Sequence, residues 1–185
     1  MTVNEELLKI MQDYVMFMDS KKTLELPILV SEHKKNHKSS LYYCSPVTAE
    51  YEFGQSVFDC EIRDREILSY SFQIRTDKIK SQVALRFDEG DATHFNNVPG
   101  LELSEQSVTT PHFHKYNEQG YFIAYKNEEL KQLGNVKMTI EDGFDSFCRE
   151  SKIDYGNVSP RIQIIEDGVM KLNLKQQDPL AGVNF

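Results

Sequence analysis

Apolar residues recur at two different periods along the chain, and the switch between them sets the expected fold class. Leu7, Leu8, Met11, Tyr14, Val15 and Met18 follow the three- and four-residue spacing of an amphipathic helix. Thr2 followed by Glu5 has the form of a capping box and predicts where that helix starts. Pro27 closes the pattern, and Leu24 to Val30 reads as a short apolar strand or connection. The polar stretch from Glu32 to Ser40 then reads as a solvated loop.

From Leu41 the period becomes two. Leu41, Tyr43, Val47, Tyr51 and Phe53, then Phe58, Cys60 and Ile62, alternate with polar neighbours, as half-buried strands do. Phe58-Cys60-Ile62 and Leu68-Tyr70-Phe72-Ile74, joined by a polar turn around Arg63-Asp64-Arg65, predict an antiparallel hairpin with one buried face, and Val83-Leu85-Phe87 pairs next. Asn96, Asn97, Pro99 and Gly100 mark a long irregular connection. A further strand runs from Gly120 to Tyr125, after a turn at Asn117 to Gln119. Ile140, Phe144, Phe147 and Cys148 share one face of a second helix capped by Thr139, and a last strand lies around Ile162 and Ile164. The expected fold is α+β, an antiparallel sheet of about six strands packed against an N-terminal and a C-terminal helix. Residues 1–158 form a single domain in this reading, and 159–185 a C-terminal strand and tail.

A chain of 185 residues is long enough to bury its own core without a second domain. The formal charge of -8 argues against direct nucleic-acid binding and suits either solubility or a basic protein partner. Three cysteines, an odd and sparse set, fit a reducing cytosol better than a disulfide scaffold. The N-terminus has no basic region ahead of its apolar residues, and no stretch reaches the length of a membrane span, so a cytoplasmic location is expected.

The chemistry concentrates in Thr110-Pro111-His112-Phe113-His114-Lys115-Tyr116. On a strand, His112 and His114 point to the same face and can reach one metal ion. His94, upstream in a polar loop, would supply a third imidazole, which suits zinc. The fourth position is left to water, a cysteine (Cys44, Cys60 or Cys148) or Asp91, although the cysteines also read as apolar filler. The competing reading has the three histidines hydrogen-bonded and metal-free. A catalytic centre needs a carboxylate to handle protons, and Asp88, Asp91 and Glu118 are the nearest in sequence, each equally readable as a solvated strand-end or turn residue. A closed structural site would instead pin the core-poor segment from Asp91 to Thr110 onto the sheet, and this is the favoured role. His33 and His37 have helical metal-ligand spacing but sit among Lys34, Lys35 and Lys38, so a solvated basic loop is expected. Tyr42, Tyr43, Tyr51 and Phe53 read as strand core before they read as base-stacking aromatics. No Gly-rich phosphate loop, nucleophile elbow or paired-cysteine zinc motif occurs.

Three pieces of sequence resemble an uncharacterised family of small bacterial and phage proteins carried by mobile elements. They are Phe58-Asp59-Cys60-Glu61-Ile62-Arg63 leading into Phe72-Gln73-Ile74-Arg75, Leu85-Arg86-Phe87-Asp88 with His94-Phe95-Asn96, and Pro111-His112-Phe113-His114-Lys115-Tyr116 with Gly120-Tyr121. With Leu24-Glu25-Leu26-Pro27 the resemblance spans most of residues 5–155. The chain departs from the pattern at Thr109 and Thr110, where the family places a cysteine, and at Phe122, where it places a tryptophan. Members look like accessory proteins of mobile elements, and a small acidic chain is similar in kind to type II-A anti-CRISPR proteins. The resemblance therefore implies a zinc-containing, non-enzymatic protein that binds a host protein, a Cas9 effector above all, and blocks nucleic-acid loading. A three-histidine metal-dependent hydrolase or nuclease, a toxin–antitoxin component and a homodimer remain as alternatives.

Overall fold

The computed structural model describes residues 2–30, 32–34, 37–64, 69–80, 82–134, 136–157, 161–166 and 169–170. The N-terminal amphipathic segment folds as two consecutive helices, α1 (Glu5–Leu8) and α2 (Met11–Asp19). Asn4 rather than Thr2 caps the first, its side-chain oxygen accepting the Leu7 N–H at 3.0 Å. The break at Lys9 and Ile10 shifts the phase of the apolar stripe. Leu7, Tyr14 and Phe17 are buried in consequence, whereas Val15 and Leu8 stay exposed.

Two short strands follow, β1 (Lys22–Thr23) and β2 (Ile28–Val30). The segment expected to be a loop instead forms β3 (Glu32–Lys34) and opens the long strand β4 (His37–Ala49). β5 (Ser56–Asp64), β6 (Ser69–Thr76) and β7 (Val83–Glu89) come next, then the small strands β8 (Thr93–Phe95) and β9 (Ser107–Thr109). β10 (His112–Tyr116) and β11 (Phe122–Tyr125) lead to helices α3 (Glu128–Leu133) and α4 (Ile140–Ser151). The chain closes through β12 (Ile153–Asp154), β13 (Ile162–Glu166) and β14 (Val169–Met170).

The α+β class holds, but among the described residues the main sheet has nine strands, in the order β11-β10-β7-β6-β5-β4-β1-β12 with β3 beside β4. It is mixed, because β1 and β12 pair in parallel. The extra strands are two or three residues long, too short to show a period. The expected hairpin is present, with Phe58 opposite Ile74, Cys60 opposite Phe72 and Ile62 opposite Tyr70, and β7 pairs β6 as the alternation implies. Its polar connection, residues 65–68, falls outside the described residues. The strand expected around Ile162 and Ile164 is β13, which joins β2 in a separate parallel pairing, so Ile162–Ile164 packs beside Ile28–Val30. Residues 171–185, read as a polar tail, lie outside the described residues.

One face of the sheet carries the core. Phe58, Phe72, Phe87 and Phe113 run across β5, β6, β7 and β10, and α4 lays Phe144 and Phe147 over them. Burial of each such ring stabilises the fold by about 1.5–3 kcal/mol. Thr139 caps α4 as expected, accepting the Asp142 N–H. Gly143 on this helix meets the ring of Tyr70, whose hydroxyl donates to the Thr139 carbonyl at 2.8 Å; an added Cβ would stand 2.9 Å from Tyr70 Cε2. Gly143→Ala is therefore expected to destabilise by about 2 kcal/mol despite alanine's better helix propensity. A higher midpoint in denaturant unfolding would contradict that close approach.

Between the site-bearing strands, Tyr14 of α2 adds a rung. Its hydroxyl donates to the Ala84 carbonyl on β7 at 2.9 Å and accepts the Tyr116 N–H of β10 at 3.2 Å. Among the described residues no helix is long and apolar enough to cross a membrane.

Candidate metal centre

The alternation that turns Leu85 and Phe87 of β7 into the core turns Arg86 and Asp88 onto the opposite face. β10 pairs antiparallel with β7, and this register sets Asp88 directly opposite His112 and Arg86 directly opposite His114. Same-face pairs of this kind hold their Cβ atoms about 5 Å apart, close enough for side-chain tips to meet. They do meet here. His112 Nε2 lies 2.9 Å from His114 Nε2, and His114 Nε2 lies 3.3 Å from Asp88 Oδ2. All three residues are buried, and their candidate ligand atoms fall within 4.8 Å of one another. The edge of a tetrahedron with metal–ligand bonds near 2.0–2.1 Å is about 3.3 Å, which the His114–Asp88 separation of 3.3 Å matches and the 2.9 Å between the two histidine nitrogens approaches.

His94 reaches the cluster from β8. That strand is held by β9, with His94 opposite Val108 and Thr93 opposite Thr109. Thr110 then ties the ribbon to the end of β7, its hydroxyl donating to the Gly90 carbonyl and its N–H to the Ala92 carbonyl at 3.0 Å. Asn96 docks the other side of the segment on edge strand β11, accepting the Ala124 N–H at 2.8 Å and donating to the Ala124 carbonyl at 2.7 Å. These bonds satisfy a sheet edge and fix the His94 backbone together. As a result the His94 ring stands edge-on to His114, with centroids 4.7 Å apart, and 6.1 Å from His112. The His94 Nε2 is buried and has no hydrogen-bond partner among the described residues. Phe122 stacks on the His114 ring, with centroids 5.5 Å apart.

Protons are too few to satisfy this cluster. His114 Nε2 faces both His112 Nε2 and Asp88 Oδ2, and a single N–H on it can serve only one of them. Adding protons instead would place charged imidazoles against each other. Burial, reinforced by the neighbouring His114, pushes His112 down to about 4. Burial lowers His94 as well, again with His114 contributing. Both are then neutral near pH 7, with lone pairs available. Asp88 behaves oppositely: burial alone would raise it, but the His114 hydrogen bond and the Arg86 charge hold it well below the usual carboxylate range. Its second oxygen, Oδ1, accepts from Arg86 at 2.7 Å and from Arg63 at 2.9 Å. The carboxylate is thus ionised and oriented, with Oδ2 aimed at the histidines. Buried imidazole nitrogens beside an oriented carboxylate make a donor set for a divalent transition metal.

The cluster forms the floor of an open cleft of about 570 Å³, lined also by Arg63, Arg86, Asp91 and Thr110. His94, far upstream of the His112–His114 pair, joins it there. Asp91 reaches the rim, but its carboxylate is held by Lys137 at 3.1 Å. The cysteines go elsewhere: Cys60 and Cys148 are wholly buried in the core, and Cys44 is exposed on β4 beside Arg75. Glu118 lines a different hollow, with Val98 and Gly100. His33 and His37 sit on β3 and β4, and their side chains are outside the described residues. Tyr43 and Tyr51 pack against the core and Phe53 is part of it, while Tyr42 is hydrogen-bonded to Asp59. The fourth group at the cluster is Asp88, considered from sequence only as a proton carrier. The signal that could have found it is the alternation Leu85-Arg86-Phe87-Asp88, which puts it on the polar face of the strand.

Comparisons with protein families, curated proteins and solved structures find no match to the chain. The functional reading accordingly rests on the geometry of the cleft.

Proposed function

We propose that the chain is a zinc-dependent hydrolase, with the ion held by Asp88, His112 and His114 and with His94 beside it. The observation that carries this reading is the convergence of three buried ligand atoms within 4.8 Å at the floor of an open cleft. Three protein ligands and an accessible fourth position distinguish catalytic zinc sites from closed structural ones. The structural role favoured from sequence assumed that the segment from Asp91 to Thr110 needed a metal to hold it. Thr110, Asn96 and the β8–β9 ribbon already do so, which removes that reason.

A bound zinc supplies a water of lowered pKa as nucleophile. Proton transfer falls to His94, a neutral imidazole at the cleft beside the three ligands. Asp88 is unsuited to that task because two guanidiniums hold it ionised, and Glu89 because its oxygens accept the Gly90 and Met138 N–H groups. The alternative of an inhibitor that docks on a host Cas9 effector draws its support from the charge of -8 and from the resemblance.

Elemental analysis of tag-free protein tests the proposal directly. About one zinc per chain is expected in the wild type and less than a tenth of that in His112→Ala, with any hydrolysis of a generic ester panel abolished by chelation. Wild-type protein that takes up no zinc on reconstitution would overturn it, as would a variant that keeps a full equivalent.

A further inference from the structure

The cleft carries more positive charge than its metal ligands need. Arg63 and Arg86 both line it, and both donate to the same oxygen of Asp88, so two guanidiniums share one carboxylate. Among the described residues, the other acids that line the cleft are engaged elsewhere: Asp91 pairs with Lys137, and Glu89 accepts the Gly90 and Met138 N–H groups. Both arginine side chains remain more than a third exposed toward solvent, at 38% and 37%. Arg86 Nε, by contrast, is buried and has no acceptor among the described residues. An unmet buried donor is unfavourable, and an incoming acceptor would relieve it. With a divalent ion at Asp88, His112 and His114, a local concentration of positive charge stands within a chain whose overall charge is -8.

We infer that this cleft recognises the phosphoryl group of a small phosphorylated molecule, bridged between the metal centre and the Arg63–Arg86 pair. The inference rests on the metal reading given above and names the ligand class of that same site. A phosphoryl group offers three terminal oxygens, enough to meet the ion and both guanidiniums at once, where a carboxylate offers two. The cleft volume of about 570 Å³ suits a small ligand. A long polyanion would meet the repulsion of the acidic chain, which favours a small phosphorylated compound over nucleic acid.

The test uses full-length protein loaded with zinc, its metal content measured first, and calorimetric titration with inorganic phosphate. Saturable binding to the wild type is expected, weakened tenfold or more by Arg63→Gln with zinc content unchanged, and partly restored by Arg63→Lys. Arg63 lies at the rim of the cleft, and Arg86 keeps Asp88 paired in its absence, so the folded state should survive the substitution. Failure of the metal reading would show as missing zinc before any phosphate is added. Zinc-loaded protein that binds no phosphate would overturn the inference alone. Equal binding by Arg63→Gln, or equally tight binding of acetate, would overturn it too.

Discussion

Asp88→Asn should be the most damaging isosteric substitution in the cleft, lowering stability in chelator by about 2–3 kcal/mol and removing the response to zinc. The change keeps the shape of the side chain but takes away the charge that Arg63 and Arg86 share. Breaking a buried ion pair from one side costs about 3–5 kcal/mol, and the partial exposure of both guanidiniums reduces that figure. For a chain of this length the loss corresponds to a fall in Tm of roughly 4–12 °C. The zinc effect is separate and larger. An ion present at a thousand times its dissociation constant stabilises the wild type by roughly 4 kcal/mol. Thermal melts with chelator and with added zinc, run on both proteins, read the two contributions independently. A variant whose melting temperature still rises with zinc as the wild type's does would remove Asp88 from the ligand set, leaving it as a charge partner of the arginines only.

That Asp88 was not assigned as a ligand from sequence, while His112 and His114 were, has a physical cause. A His-x-His pair lies on one strand, so the period of two is sufficient to place both rings on one face. Asp88 meets them only through the pairing of β7 with β10, and a one-residue slip in that register would have turned it away. Cross-strand register depends on the twenty-odd residues that connect the strands, and no local pattern encodes it. The same distinction runs through the fold. β5, β6, β7, β10 and α4 announce themselves because each buries one face against the aromatic core. By contrast β1, β3 and β12 are stretches of two or three residues whose strand character comes from neighbours already in place. Helix α3, with Leu130 as its buried anchor, likewise has too few turns to show a stripe. His94 was legible as a residue type but not as a position. It depends on a ribbon formed between residues 93–95 and 107–109 and on Asn96 substituting for a strand at the sheet edge.

Stability of the metal-free protein should fall as pH drops from 6.5 to 4. His112 titrates near 4 in the folded chain against an ordinary value of 6.5, because burial and the adjacent His114 disfavour its charged form. Between those two values the unfolded chain binds a proton that the folded chain excludes, so acidification favours unfolding. The stabilisation is complete above pH 6.5 and lost on the way to pH 4. The difference amounts to about 3 kcal/mol. His94, also lowered by burial, acts in the same direction, whereas the depressed Asp88 adds its loss only below the ordinary carboxylate range. Glu89, raised by burial, opposes the trend, since acidification favours its folded form. Zinc sharpens the profile because the ion competes with protons for the same nitrogens, so its stabilising increment should vanish on approach to pH 5. Denaturant titrations of chelated and zinc-loaded protein at pH 7.5, 6, 5 and 4, repeated with His112→Gln, provide the measurement. The variant should show a shallower acid limb and no zinc increment at any pH. A wild-type midpoint that stays level from pH 7.5 to 4 would mean that His112 takes up its proton without cost, and a ring so accommodated would not be the buried, neutral donor that the metal centre requires.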